Sequence, residues 1–379
     1  MIYENDKRIV MTLGAGGTNF VFSAVQGHHE IVNPIRLSSC ADNLEKSLDN
    51  LEQGFHQIKA QLKQAPAAIS FAFPGPADYS KGIIMDLNNF PAYRGGIALG
   101  DFLKNTFNMP VFINNDVDLF TYGECIAGAL PHVNQMISEA GCSKHYHNLI
   151  GFTLGTGFGC GITRNNELYL GDNGSAGEVL LLRHKTKRDI LIEDGVSIRA
   201  IKRVYWEQSG DMRRLEPLDI FHIAEGKLEG NINAAKKSFS EFGIMAAEGI
   251  AAVSTVLDGL VVLGGGLTGA RKFFMPSLMQ ELNGNISTLD GQNKSRLEMK
   301  VYNLDQADDL KAFLSSNTYK IRVPRSDKWV DYDPVKRMGI VFSKLGTNKA
   351  IALGAYAFAL HELDKLYSFS DGTISSPAK

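Results

Sequence analysis

The chain has 379 residues, 44% of them hydrophobic and 21% charged, with a formal net charge of −2. That length suggests two domains with full cores, and the composition excludes a disordered chain. The slightly acidic balance gives no reason to expect a nucleic-acid partner, and no apolar run is read as approaching a membrane span.

Residues 1–8 are polar and lead into the first predicted strand, so neither a signal peptide nor a helix-turn-helix is expected ahead of it, and a cytoplasmic location is expected. Cys40, Cys125, Cys142 and Cys160 contain no C-x-x-C pair, which predicts free thiols in a reducing compartment. Cys142, His145 and His147 lie close together but lack a second ligand pair at zinc spacing, so they read as a polar surface loop.

In chain order, apolar runs at 8–13 and 20–26 flank Leu13-Gly14-Ala15-Gly16-Gly17-Thr18-Asn19, predicting a hairpin with a glycine turn. Its backbone N–H groups, with Thr18 and Asn19 as added donors, suit a phosphate; a simple tight turn is the alternative. A third strand is predicted over 31–36, an amphipathic helix over 43–62, and a buried strand over 67–72 that stops at Phe73-Pro74-Gly75-Pro76. This makes a mixed α/β layer. Residues 86–94 form a polar loop in which Asn88 and Asn89 can donate and accept, as a hydroxyl-rich ligand requires; asparagines in a turn are the plainer reading. A helix over 97–107 and a strand over 111–113 lead to Asn114-Asn115-Asp116 and a helix over 117–129, the candidate first domain boundary. Asp116 thus stands at the carboxyl end of a strand, where open α/β sheets bind ligands, and also where an N-cap is expected.

A strand over 148–154 runs into Gly155-Thr156-Gly157-Phe158-Gly159-Cys160-Gly161 and another strand, repeating the opening motif and suggesting two related halves. Residues 167–170 read as a strand leading to a glycine-rich loop that ends at Glu178, either a solvated charge or part of the next helix's first turn. Helices are predicted over 196–207 and 231–257, then a buried strand over 259–263, Gly264-Gly265-Gly266 and a helix over 270–282. The three glycines either admit a nucleotide base or ribose to the backbone or permit close helix–strand packing. Residues 284–345 are polar and weakly periodic, and read as an insertion or lid with a hairpin near 319–332. An alanine-rich helix over 350–366 follows, and the tail after Tyr367 is expected to be disordered.

The ordered set AGGTN, PGPAD, NNFP, NND, LGTGFG, GSAGE, VVLGGG and ALGAYAFAL resembles the sugar kinases of the ROK family, members of the actin-like ATPase superfamily, over most of the chain outside 284–345. The resemblance implies an α/β fold of two ribonuclease H-like (actin-like ATPase) lobes with an interdomain cleft. The N-terminal lobe would be residues 1–117 joined by the helix 350–366, and the C-terminal lobe 118–349 with its insertion. It implies ATP as cofactor, with Mg²⁺ carried on the ATP. Gly16, Gly17, Thr18 and Asn19 match the first phosphate loop; Gly155, Thr156, Gly157 and Gly159 match the second; Gly264, Gly265 and Gly266 match the adenosine motif. Asp116 matches the catalytic base. Asn89, Asn115, Asp116, Glu178 and Glu193 match positions that bind sugar hydroxyls. Partners would be a small-molecule sugar and ATP, with no nucleic acid and no membrane, and a homodimer as the general expectation.

The chain departs from the family pattern in three places. Gly14 stands where the family has an aspartate that orients the Mg²⁺ hydration shell. Leu181 stands where a sugar-contacting histidine is usual, in Glu178-Val179-Leu180-Leu181, with His184 three residues on. The cysteine-rich zinc box is missing from 188–197, so no structural zinc is expected, although Glu193 and Ser197 match its trailing residues. Two functions follow: ATP-dependent phosphorylation of a hexose hydroxyl, or a catalytically impaired sugar- or nucleotide-binding sensor on the same fold. A DNA-binding repressor is disfavoured by the charge and by the short polar start.

Overall fold

The computed structural model describes residues 1–142 and 144–370. They build a mixed α/β protein of two compact units. The first takes residues 1–131, 161–176 and those from 344 onward; the second takes 132–160 and 177–343.

In the first unit, β1 (Val10–Ala15) and β2 (Asn19–Gln26) form the opening hairpin, in register from Val10 opposite Val25 to Ala15 opposite Phe20. Leu13, Gly14 and Ala15 therefore belong to β1, and only residues 16–18 turn. Instead of one strand over 31–36, two short strands pair with β2: β3 (His29–Glu30) and β4 (Ile35–Ser38). Pro34 lies between them, and its missing N–H suits the break. On the other side β5 (Ala68–Ala72) and the strand Val111–Asn114 add in parallel, giving the order β3-β2-β1-β5 and then Val111–Asn114.

One face of this sheet packs on α1 (Leu44–Gln61), whose N-cap Asn43 accepts the Lys46 N–H. Alternation along β1 and β2 sends Leu13, Phe20 and Phe22 to this side, where Phe55 and Phe71 meet them. The next helix, α2, is Leu99–Phe107; Ile97–Ala98, expected to begin it, pairs instead with Ile83–Ile84.

The opposite face is covered by α3 (Asp116–Ile126) and the terminal helix Thr347–Ser370. The terminal helix is longer at both ends than predicted, so the start of the expected disordered tail is helical, and residues 371–379 lie outside the described residues. α3 ends early, and a second helix, Ala129–Glu139, follows it, where one helix over 117–129 was expected. In the last turn of α3 the buried Glu124 accepts the N–H groups of Ala129 at 2.7 Å, Lys344 at 3.3 Å and Leu345 at 3.1 Å.

α3 and the terminal helix touch backbone to backbone. A Cβ on Gly354 would stand 1.8 Å from the Leu119 carbonyl oxygen, and one on Gly123 would stand 2.0 Å from that of Ala350.

The second six-stranded sheet has the order Glu167–Leu168, Phe158–Arg164, Leu149–Leu154, Leu260–Gly264, Arg337–Phe342, Lys300–Asn303. The last two are parallel members of this sheet, in register with Leu260–Gly264 through Val261 opposite Ile340. Residues 284–345 are thus not an insertion as a whole. Their strands are buried, and only the hairpins Asn285–Ser287 with Asn293–Ser295 and Tyr319–Arg322 with Trp329–Tyr332 stand apart as two-stranded ribbons. A helix at Pro217–Ala224, not predicted, starts with a capping box between Glu216 and Asp219. Contrary to the sequence-based expectation, the helix Ile232–Leu257 is long and apolar enough to cross a membrane by length and composition. Here one side of it is buried, and it packs against Arg271–Leu282 and Ile198–Ser209.

Replacing Gly354 by alanine forces a methyl into the Leu119 carbonyl. We expect it to cost about 1–3 kcal/mol, the range of overpacked cores, and to lower the urea midpoint of the first unit. An unchanged midpoint would show that the two helices separate freely.

Candidate functional site

Three parallel strands end level with one another. Gly14 on β1 pairs with Ala72 on β5, which pairs with Asn114. The chain beyond these carboxyl ends carries Phe73-Pro74 from one strand and Asn115-Asp116 from another, and Gly16-Gly17-Thr18 turns just past Gly14. This edge is where an α/β sheet offers ligand-binding groups.

The glycine turn is held from outside. The Gly16 N–H donates to the Asn19 carbonyl at 3.0 Å, the Ser39 hydroxyl to the Gly17 carbonyl at 2.6 Å, and the Ser39 N–H to the Thr18 carbonyl at 3.0 Å. Phe90, fully buried against Phe20 and Phe73, anchors the loop that carries Asn89. That loop comes so close that a Cβ on Gly17 would lie 3.3 Å from the Asn89 carbonyl oxygen. Asn89 is exposed there, so the turn and the asparagine share one rim.

Asp116 begins α3 but does not cap it. Asn115 is the N-cap, its side-chain oxygen accepting the Val117 N–H at 2.8 Å. The capping role considered for Asp116 falls to its neighbour, which leaves the Asp116 carboxylate uncommitted to the cap. Asn115 spends its acceptor on the helix and keeps its amide nitrogen, 3.5 Å from the Tyr79 hydroxyl. The Asp116 side chain reaches solvent, yet the surrounding protein desolvates it and raises its pKa above the ordinary carboxylate value, against the opposing pull of N–H groups at the helix start.

A cavity of about 990 Å³ joins these groups within the first unit. It runs from the turn at Gly16-Gly17-Thr18 and Asp116 along β1 and β2 to the first turn of the terminal helix. Arg36 and Lys349 also line it, residues that no sequence motif singled out. Among its lining residues the carboxylates are Asp116 and Glu30, and Glu30 takes a hydrogen bond from the Ser23 hydroxyl. The turn's N–H groups fit a phosphate chain. For Mg²⁺ the lining offers little beyond Asp116, so a metal would be held mainly by nucleotide oxygens and water.

The second unit gathers the remaining predicted residues. Its glycine turn is shorter than predicted, residues 155–157 only; Phe158 to Gly161 lie in a strand, which takes Gly159 out of the turn. Gly155 accepts the Ile198 N–H at 2.9 Å, and Thr156 is exposed. Glu193 is part of the scaffold of this turn: it accepts the Phe158 N–H at 3.1 Å and the Arg199 guanidinium at 2.9 Å. A Cβ on Gly157 would fall 2.5 Å from the same carboxylate.

Gly264 pairs with Thr153, so the adenosine-like glycines sit at the end of the strand beside the one feeding the second turn. Gly265 has a left-handed φ of +90° and packs on Leu154, with its added Cβ 2.4 Å from the Leu154 carbonyl oxygen. The close-packing reading therefore holds for Gly265, while Gly266 faces open space. Glu178 is exposed at the start of the short helical turn Val179–Leu181, and Leu181 is exposed as well. The His184 Nδ1 accepts the Thr186 N–H at 3.3 Å. None of the four cysteines is in a disulfide, and Cys142 donates to the Leu314 carbonyl at 3.0 Å. Among the described residues no group of three His, Cys, Asp or Glu side chains could hold a metal ion.

Comparison with known proteins gives these features a family. A solved glucokinase from Parabacteroides distasonis is 51% identical, with a TM-score of 0.86 over 95% of this chain and 99% of its own. A glucokinase from Halalkalibacterium halodurans is 30% identical over 137 residues, 36% of each chain. The xylose repressor of Bacillus spizizenii is 31% identical over 138 residues, 36% of this chain and 32% of the repressor. These two matches thus span about a third of each curated relative. The fold is that of the actin-like ATPases. The profile of the ROK family matches residues 10–300, and the chain belongs to the ROK family.

Proposed function

We propose that the chain transfers the terminal phosphoryl group of ATP to a hydroxyl of a hexose, with Asp116 as general base. The observation that carries this reading is the Asp116 carboxylate, relieved of capping by Asn115 and lining the same cavity as the glycine turn. A sugar hydroxyl is a poor nucleophile, so a carboxylate within reach must take its proton as the oxygen attacks phosphorus. The P–O bond to ADP breaks, and the released charge goes to backbone N–H donors such as those of the turn. Mg²⁺ on the nucleotide supplies further neutralisation when bound. The similarity to glucokinases supports a sugar as acceptor.

The raised Asp116 pKa fits this role, since a base works best when its pKa approaches the working pH. Asn89 and Asn115 would orient the acceptor sugar. Glu193 would act indirectly, by fixing the second turn. The cytoplasm and a homodimer complete the proposal.

Gly14 favours a second reading, a binding protein of low turnover. A Cβ there would meet only Val21, at 3.8 Å, so the fold has room for the missing aspartate and simply lacks it.

Release of ADP from MgATP across a panel of hexoses and N-acetylhexosamines tests both readings. We expect sugar-dependent turnover that falls at least about 10²-fold in Asp116→Asn. Turnover only in Gly14→Asp would favour the binding protein; turnover retained in Asp116→Asn would remove Asp116 as base.

The proton-accepting form is the ionised one, so kcat/KM should fall as pH drops through the raised Asp116 pKa. The acid limb should then lie above the ordinary carboxylate value of about 4. The same shift has a sign for stability. A raised carboxylate pKa means that folding favours the protonated form, a contribution present at low pH and lost as pH rises through the folded pKa. At neutral pH Asp116→Asn should therefore melt no lower than the wild type, while losing activity. A clear drop in Tm would show that the carboxylate supports the fold.

A further inference from the structure

Gly14 does not stand alone in its row. It pairs with Val21 on β2, and Val21 pairs with Arg36 on β4. Paired residues on adjacent strands point to the same face, so Arg36 stands on the face from which the Gly14 side chain is missing. Two strand spacings separate them, about 10 Å, and the residue between is only a valine. An extended arginine covers most of that span. Lys349 lies on the first turn of the terminal helix and lines the same cavity, at the helix end that favours anions.

Both cations are exposed, and neither has an ion-pair partner among the described residues. Elsewhere in the first unit Arg8 pairs with Asp6 and Asp364, and Lys81 with Asp78. Two cations that no ion pair engages thus line the same cavity as the turn and its N–H groups. Asp116 and Glu30, the carboxylates of the lining, do not pair with either cation, and Glu30 is engaged by Ser23.

We infer that Arg36 and Lys349 bind the outer phosphates of the nucleotide directly, doing with side-chain cations what an aspartate-anchored metal would otherwise do. The inference rests on the ATP-dependent reading above and extends it to the charge partners of the phosphates. An arginine fork suits two phosphate oxygens at once, and a lysine supplies a mobile point charge. The consequence is nucleotide binding that discriminates by phosphate number even without Mg²⁺.

Equilibrium titration with ATP and with AMP, in EDTA and then in Mg²⁺, tests it on the wild type and on Arg36→Ala/Lys349→Ala. In EDTA we expect the wild type to prefer ATP over AMP by about tenfold or more, the scale of one or two charge-assisted contacts. The double variant should lose that preference, with AMP affinity unchanged, which also reports that it folds. If it does not fold, Arg36→Gln and Lys349→Gln singly carry the same comparison. A preference unchanged in the variants, or present in the wild type only with Mg²⁺, overturns the inference while leaving the kinase reading in place. A wild type that binds no ATP under either condition removes both.

Discussion

The first unit depends on one close crossing. α3 and the terminal helix meet through Gly123 and Gly354, where no side chain separates the two backbones. Dispersion falls off steeply with distance, so two backbones this close gain contact that no pair of larger residues would give. The crossing also sets geometry. Asp116 is the first residue of α3, and Lys349 lies in the first turn of the other helix. Their positions over the sheet are therefore fixed by glycines about one to two turns away. Glu124, one residue beyond Gly123, adds a second tie by gathering three backbone N–H groups from the segments on either side.

Much of the site was legible because its chemistry is local. Two alternating apolar runs around glycines and a threonine specify a hairpin with an open turn, and Asn114-Asn115-Asp116 after a short β-branched run marks a strand end. What was not legible is what depends on a neighbour. Asn and Asp are equally good caps, so spacing could not decide that Asn115 would take the cap and leave Asp116 uncommitted to it. Arg36 gains its meaning from register across β1, β2 and β4, which no single segment carries. The strands Lys300–Asn303 and Arg337–Phe342 were hidden by the polar ribbons around them, although the sheet buries both. Glu193 was matched to a sugar position, and only the fold reveals that it holds the Phe158 N–H and Arg199.

Two neighbouring glycines of the second unit differ in what surrounds them. Gly265 is needed by the protein itself, because its left-handed backbone packs on Leu154; Gly266 is free to face a ligand. The first turn is organised differently: its stiffness comes from Ser39 and from the Phe90-anchored loop, both outside the glycine sequence. A binding turn needs open N–H groups and a rigid backbone together, and here the rigidity is supplied by neighbours while the glycines keep the surface bare.

The terminal helix belongs to the unit that contains the first strand. During synthesis the sheet of the first unit, α1 and α3 emerge early, yet the glycine face of α3 has no cover until residues 344–370 follow. The second unit, complete by residue 343, has all its strands available sooner. Synthesis thus completes the second unit before the first, whose last segment is the helix that covers α3. Loss of the final helix by a nonsense codon or by proteolysis would spare most of the length and still undo the site nearest the amino terminus.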